Sequence, residues 1–417
     1  MTAAIYDVAV IGAGAAGMMA AAVAGQRGLK LVLLDHAERL AEKIRISGGG
    51  RCNFTNKGTT AANFISQNPH FCRSALAGYT AHDFIQLVNQ YGIGWHEKHR
   101  GQLFCNDSSE SIISMLRSEC DKGRVAWRMP CVVHEVGQQE SVFVLRTDAG
   151  TMRAQNLVVA TGGLAIPKLG ATDFALRLAR QFGLKVVEPR PALVPLLFDA
   201  QQWQPFSTLS GVALEARVST SSPVLGKPNA KPLLTQFDED LLFTHKGLSG
   251  PAILQISSYW NPGQPIVLDL APGADIERTL QEARQGNRQL LSSVLASIWP
   301  KRLAEQWLKN TPDLPQQIGD MRLADAPNAV LSSLARHIHE WSLVPSGTAG
   351  YRKAEVMRGG VDTRYLDQRS MEAKPVAGLY FVGEAVDVTG WLGGYNFQWA
   401  WSSAVACARA IKAKEFQ

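Results

Sequence analysis

The apolar positions of this chain fall into short runs broken by glycine. Residues 5–11 form one such run, rich in Val and Ile, and read as a buried strand. Gly12-Ala-Gly14-Ala-Ala-Gly17 follows, then an Ala- and Met-rich stretch to Gln26 that reads as a buried helix. A second, mostly apolar run over residues 29–34 ends at Asp35. Strand, glycine turn, helix, strand and acid in that order predict one βαβ unit. Two further strand-like runs lie downstream. Residues 156–160 (Asn-Leu-Val-Val-Ala) are capped by Thr161-Gly162-Gly163, and residues 378–382 lead into Gly383-Glu384 and, after Gly393-Gly394, a helix rich in Trp and Ala. The run over residues 8–25 is uncharged and about the length of a membrane span. It is Ala- and Gly-rich rather than Leu-rich and no Lys/Arg cluster precedes it, so we read it as packed protein and expect no membrane segment.

The middle of the chain changes character. Pro189, Pro191 and Pro195 mark a break near residue 190, after which strand-like runs over residues 193–198, 213–219 and 266–270 alternate with Pro/Gly turns. From residue 276 to 341 the pattern turns helical, with Leu, Ala and Trp at spacings of three and four. Residues 219–232 are polar and proline-bearing, carry Lys227 and Lys231, and read as a hairpin tip or a mobile loop.

The glycines have separate physical tasks. Gly12 permits the tight turn, Gly14 lets backbone approach a pyrophosphate, and Gly17 lets helix pack on strand, while the N–H groups at Ala15 and Ala16 attract the phosphates. Asp35 is placed to accept ribose hydroxyls. The stretch from Lys43 to Asn56, with Ser47, Gly49, Gly50, Arg51 and Asn53, contains three consecutive glycines and no acid, and such a loop wraps an anion with backbone N–H groups. Flavoenzymes with a two-part FAD domain bring a C-terminal glycine-led segment back to the cofactor, which here means Gly383, Glu384, Asp387, Gly394, Tyr395, Asn396 and Gln398. Thr161-Gly162-Gly163 resembles the strand-end signature of the same flavoproteins, and Val133 is assigned to the same site. Together these favour FAD over a plain NAD site. Asn53, Asn396 and Gln398 are candidates for the flavin's pyrimidine edge, the alternative being caps on glycine turns.

The fold expected is therefore α/β. A discontinuous Rossmann-like FAD domain is made of residues 1–190 and 346–417, with an inserted β-rich, barrel-like domain over residues 191–275 and a small helical bundle over residues 276–345.

Length and composition narrow the class. With 417 residues, 46% of them hydrophobic and 19% charged, collagenous, coiled-coil and disordered readings are excluded. A net charge of +6 is compatible with a polyanionic partner without demanding one. Six cysteines without CxxC spacing predict neither a zinc site nor a disulfide framework, and a reducing cytoplasm fits them. His337 and His339 sit two apart, on different helix faces, so no metal is expected.

The chain resembles, nearly end to end, the BaiN/RdsA (YhiN-like) family of FAD/NAD(P)-dependent oxidoreductases. The strings Ser-Gly-Gly-Gly-Arg51-Cys52-Asn53-Phe-Thr-Asn56 and Gly-Gly394-Tyr395-Asn396-Phe-Gln398-Trp-Ala-Trp401 carry the likeness, with Leu242 to Pro251 and Gly359-Gly360-Val361. Asn68-Pro-His-Phe-Cys72 and Trp95-His-Glu-Lys98 point to the RdsA branch. That branch implies an FAD- and NADH-dependent dihydrouridine synthase acting on large-subunit (23S) ribosomal RNA; other branches act on small molecules such as enones or amines. Asp35 stands where many FAD domains have glutamate, and no second GxGxxG is present for a nicotinamide cofactor, so NADH and NADPH are not distinguished.

Such an enzyme adds a hydride to C6 of a uracil and a proton to C5. The candidate acids are Cys52, Tyr395 and His245, with Lys43, Arg45 and Arg51 expected to lower the Cys52 pKa. The base must leave its stack, and cations must hold the phosphates: Arg45, Lys57, Lys98, Arg100, Lys227, Arg352, Lys353 and Arg358. A cytoplasmic monomer is expected.

Overall fold

Strands from both ends of the chain meet in one sheet. The computed structural model describes residues 5–222, 232–311 and 314–412. Tyr6–Ile11 pairs in parallel with Leu31–Leu34 on one side and Gly150–Val159 on the other. Ala126–Arg128 extends the sheet beyond Leu31–Leu34, and Leu379–Phe381 adds in parallel with Leu157, Val158 and Val159 opposite Leu379, Tyr380 and Phe381. Strands covered on both faces read as continuous apolar runs; Val8, Val10, Leu33, Val158 and Phe381 are all fully buried. The first half of Gly150–Val159 instead carries an antiparallel ladder through Val142–Thr147 to Val133–Gln139.

The small residues of Ala15–Gln26 let the C-terminal helix Tyr395–Ala410 pack closely against it. At the far end the Arg27 guanidinium donates to the Ile411 carbonyl at 2.9 Å. Met1–Pro191 and Glu355–Gln417 form one compact unit, and Ala192–Ala354 forms a second. Among the described residues no helix is long and apolar enough to cross a membrane.

The second unit contains a seven-stranded sheet whose edge strands are Trp341–Leu343 and Gly347–Thr348. Four residue steps separate Leu343 from Gly347, a reach of about 14 Å, so the sheet must curl to bring its two edges together. This is the physical content of its barrel-like character. The helices Lys301–Asn310 and Asn328–His339 belong to this unit, with Trp307 edge-on to Trp341 at 6.2 Å.

The two compact units divide after Pro191, and Pro189 and Pro191 themselves lie within the strand Val186–Ala192, which pairs with Val356–Val361; an edge strand tolerates residues that cannot donate. One local expectation fails. Residues 193–198 yield only the short strand Leu196–Leu197. Residues 223–231, with Lys227 and Lys231, lie outside the described residues.

Candidate functional site

The glycine turn is built by close approach. Gly12 has φ +108°, and a Cβ on it would lie 2.5 Å from the Ala160 carbonyl oxygen; a Cβ on Gly17 would lie 1.7 Å from the Gly12 carbonyl oxygen. Neither position admits a side chain. At Gly14 a Cβ would meet nothing within 4 Å, which leaves open space at the N-terminus of Ala15–Gln26, where helix N–H groups are unpaired. Thr161 abuts this turn, and its buried hydroxyl has no partner among the described residues. Leaving such a group unpaired costs about 1–3 kcal/mol. The open backbone and the orphan hydroxyl fit an anionic, oxygen-rich group such as the diphosphate portion of FAD.

Asp35 works within the turn: its Oδ2 accepts from Ala13 N at 2.6 Å and its Oδ1 from Ala37 N at 2.8 Å. An ionised carboxylate has about four lone-pair sites, so capacity for a ribose hydroxyl remains. The Cys131 N–H donates to the Asp35 carbonyl at 2.7 Å, which carries the strand beginning at Val133 along the same edge.

The two ends of the chain meet at Glu384. Its Oε2 accepts from Lys43 Nζ at 2.7 Å and its Oε1 from Met357 N at 2.8 Å. A Cβ on Gly162 would lie 3.8 Å from the same carboxylate, and one on Gly163 would meet the Met357 side chain at 2.8 Å. Gly383, at φ +64°, approaches Ala16 so that its Cβ would lie 3.0 Å away. Lys43, Ala16, Gly162, Gly163, Gly383 and Glu384 are thus brought together from four separate segments.

In the Ser47–Gly50 loop, Gly48, Gly49 and Gly50 all have positive φ, as does Cys52. Gly48 packs on Phe104, whereas a Cβ on Gly49 or Gly50 would meet nothing within 4 Å. Ser47 closes the loop, donating from Oγ to Ile44 O at 2.8 Å and accepting at its carbonyl from Cys52 N at 3.0 Å. Arg51 is exposed.

The C-terminal helix turns its amides inward. Gln398 is fully buried, donating to Tyr79 O at 3.1 Å and Ser402 Oγ at 3.0 Å and accepting from Thr55 Oγ1 at 2.6 Å. Buried polar groups must pair, and Gln398 pairs within the protein. Asn396 caps its own turn, accepting from Gly390 N at 2.8 Å and donating to Gly390 O at 2.9 Å. Asn53 lies against Gly394, where a Cβ would come within 2.9 Å of Asn53 Oδ1. Asp387 is buried too and accepts from Gln67 N at 2.9 Å; burial pushes its carboxyl above the usual range. It holds the Ser66–Gln67 segment.

The candidate acids are placed unevenly. Cys52 is fully buried, and burial pushes its thiol far above the ordinary range, an effect only partly offset by a hydrogen bond with Ser47. The expectation that nearby cations lower this pKa is corrected, because desolvation dominates. Tyr395 is 8% exposed and edge-on to Phe64 and Trp391, each at 6.3 Å. His245 is exposed, in the two-residue turn joining Leu233–Thr244 to Gly247–Ser249 of the second unit.

The candidate cations separate in the same way. Arg45 donates to Glu42 at 3.0 Å and pairs with Glu110, so its charge is balanced locally. Lys57 pairs with Glu97 at 2.6 Å and lies 5.4 Å from the Trp95 ring. Lys98 lies 4.2 Å over Phe104, and Arg100 is exposed beside it. Arg358 is half-buried, while Arg352 and Lys353 are exposed in the second unit.

Sequence reasoning passed over Glu355, which in the run Arg352-Lys353-Ala354-Glu355 reads as ordinary surface. It is exposed by area, yet desolvation pushes its carboxyl up to about 7.

The chain matches the family model described as HI0933-like protein Rossmann domain over residues 6–410. It is 48% identical over 409 residues to a protein of Escherichia coli (strain K12) named ribosomal RNA dihydrouridine synthase, covering 97% of this chain and 98% of that protein. A protein of the same name from Haemophilus influenzae is 45% identical over 408 residues, with 96% and 97% covered. A 3-dehydro-bile acid delta(4,6)-reductase of Clostridium scindens is 27% identical over 420 residues, with 97% and 98% covered.

Proposed function

This chain belongs to the HI0933-like Rossmann-domain family, and from that premise we propose that it reduces a uridine of large-subunit (23S) ribosomal RNA to dihydrouridine, using FAD and NADH. It is a flavin-dependent oxidoreductase. The observation that carries the finer reading is the end-to-end similarity to the two dihydrouridine synthases, which spans both compact units rather than the cofactor unit alone.

When bound, FAD supplies a hydride. The chain's own residues do the rest. The Gly12–Gly17 turn and the Thr161 hydroxyl receive the diphosphate, Asp35 the ribose, and Lys43, Gly49 and Gly50 line the cofactor from the second wall. Lys98 and Arg100, with Lys57 beside Trp95, take phosphates and stack on an extruded base. NADH would reach the site transiently, without a Rossmann domain of its own, and the enzyme acts as a monomer in the cytoplasm. The proton donor must touch the base.

The test is reconstitution. Purified protein with FAD and NADH is added to large-subunit ribosomal RNA from cells lacking the gene, and dihydrouridine is measured by mass spectrometry of nucleosides. NADH-dependent formation supports the reading, and NADPH in a parallel arm decides the reductant. Absence of product from both free RNA and assembled subunits, with turnover of a cyclic enone instead, favours the small-molecule alternative, which the similarity to the bile acid reductase makes specific.

A further inference from the structure

The carboxylates around the start of Val356–Val361 are nearly all held. Glu384 is bound by Lys43 and by Met357 N, Asp387 by Gln67 N, and Asp362 by the Arg364 guanidinium at 3.0 Å. Glu355 has no hydrogen-bond or ion-pair partner among the described residues, and its side chain is exposed. It precedes Met357 by two residues, a span of at most about 7 Å. Met357 is itself pinned to the site, with its N–H on Glu384 and its side chain against Gly163. An unpaired carboxyl is therefore tethered beside the segments that meet at the candidate cofactor site, in the bend that leads directly into the strand Val356–Val361.

We propose that Glu355 is the catalytic acid that delivers the second hydrogen to the substrate's carbon–carbon double bond. The assignment rests on the reading of the previous subsection for its substrate and on the geometry above for its location. The base gains a hydride at C6 from the reduced cofactor, the C5–C6 π bond is lost, and C5 takes the proton of the Glu355 carboxyl. The carboxylate left behind recovers a proton from water through its open face. The desolvation that lifts the group to about 7 keeps a useful fraction protonated at neutral pH, which is the condition for an efficient acid. No charge contributes to that shift, so Arg352 and Lys353 in the preceding turn and Arg358 three residues on leave it in place. Cys52 is fully buried and Tyr395 only 8% exposed, whereas Glu355 is open to solvent.

Two measurements test the assignment, using the FAD-loaded enzyme and its Glu355→Gln and Glu355→Asp variants. Infrared difference titration of wild type against Glu355→Gln is expected to reveal one carboxyl that deprotonates near pH 7, a readout independent of turnover. Glu355→Gln is expected to keep its bound FAD and its rate of flavin reduction by NADH within twofold. Its dihydrouridine formation should fall about hundredfold or more, with Glu355→Asp recovering part of the loss. Product formation at the wild-type rate in Glu355→Gln, or titration of the carboxyl near its ordinary value, overturns the proposal. A wild type that reduces no RNA overturns the functional reading instead. The acid is then decided on a cyclic enone, where Glu355→Gln must lose the same factor or the assignment falls.

Discussion

The Lys43 ammonium lies 2.7 Å from the Glu384 carboxylate, joining residues 341 positions apart in the chain. Both side chains are partly exposed, at 32% and 18%, so the pair's direct Coulomb contribution is modest. Its position is what counts. Glu384 also holds Met357 N, and removing either partner frees one wall of the cofactor site from the other. Lys43→Ala and Glu384→Gln are expected to weaken FAD binding about tenfold each, roughly 1.4 kcal/mol, with the double variant losing less than the sum. Fluorescence titration of the apoprotein with FAD measures all three.

The glycines of the turn separate folding from binding. Gly17→Ala places a Cβ 1.7 Å from the Gly12 carbonyl oxygen and is expected to lower the melting temperature of the apoprotein and abolish FAD uptake. Gly14→Ala meets nothing within 4 Å and leaves the apoprotein's melting temperature nearly unchanged, yet it obstructs the approach of the diphosphate and lowers FAD affinity. Equal loss of stability in both variants would contradict this division.

Lys98 and Arg100 extend from a small sheet in which Trp95–Glu97 pairs with Gln102–Cys105. If they hold phosphates, Lys98→Ala and Arg100→Ala each weaken RNA binding and reduce the salt slope of log K by about one. Flavin reduction by NADH stays unchanged. Arg45→Ala, already neutralised by Glu42 and Glu110, leaves the salt slope as it was.

Burial raises the Asp387 pKa above its unfolded value, so the folded state binds the extra proton. Stability from this group is fully present below the ordinary carboxylate range and lost as pH rises through the raised value. Asp387→Asn retains an acceptor for Gln67 N and removes the ionisation. It is expected to match or exceed the wild type in urea denaturation at pH 7, with the advantage vanishing under acid conditions.

The βαβ unit was legible because its signals are local: Gly12 and Gly17 are demanded by contacts a few residues away, and Asp35 ends a strand that is apolar throughout. The return of the C-terminal segment was legible from Gly383-Glu384 because a glycine-led helix start resembles the first one. The burial and partners of Gln398 and Cys52 were not, since what an amide or a thiol meets depends on residues such as Thr55, Tyr79 and Ser47 that only the fold brings beside them. Pro189 and Pro191 concealed the strand they lie in, because a two-stranded edge accepts what a sheet interior rejects. Glu355 was invisible for the same reason that it is useful: desolvation of an exposed group is a property of surrounding shape, which no run of residues encodes.

The most direct measurement is the dihydrouridine content of large-subunit ribosomal RNA from cells lacking the gene, compared with cells carrying it back on a plasmid. Loss on deletion and restoration on complementation is the predicted result. Dihydrouridine present in both, or absent from both, would contradict the account.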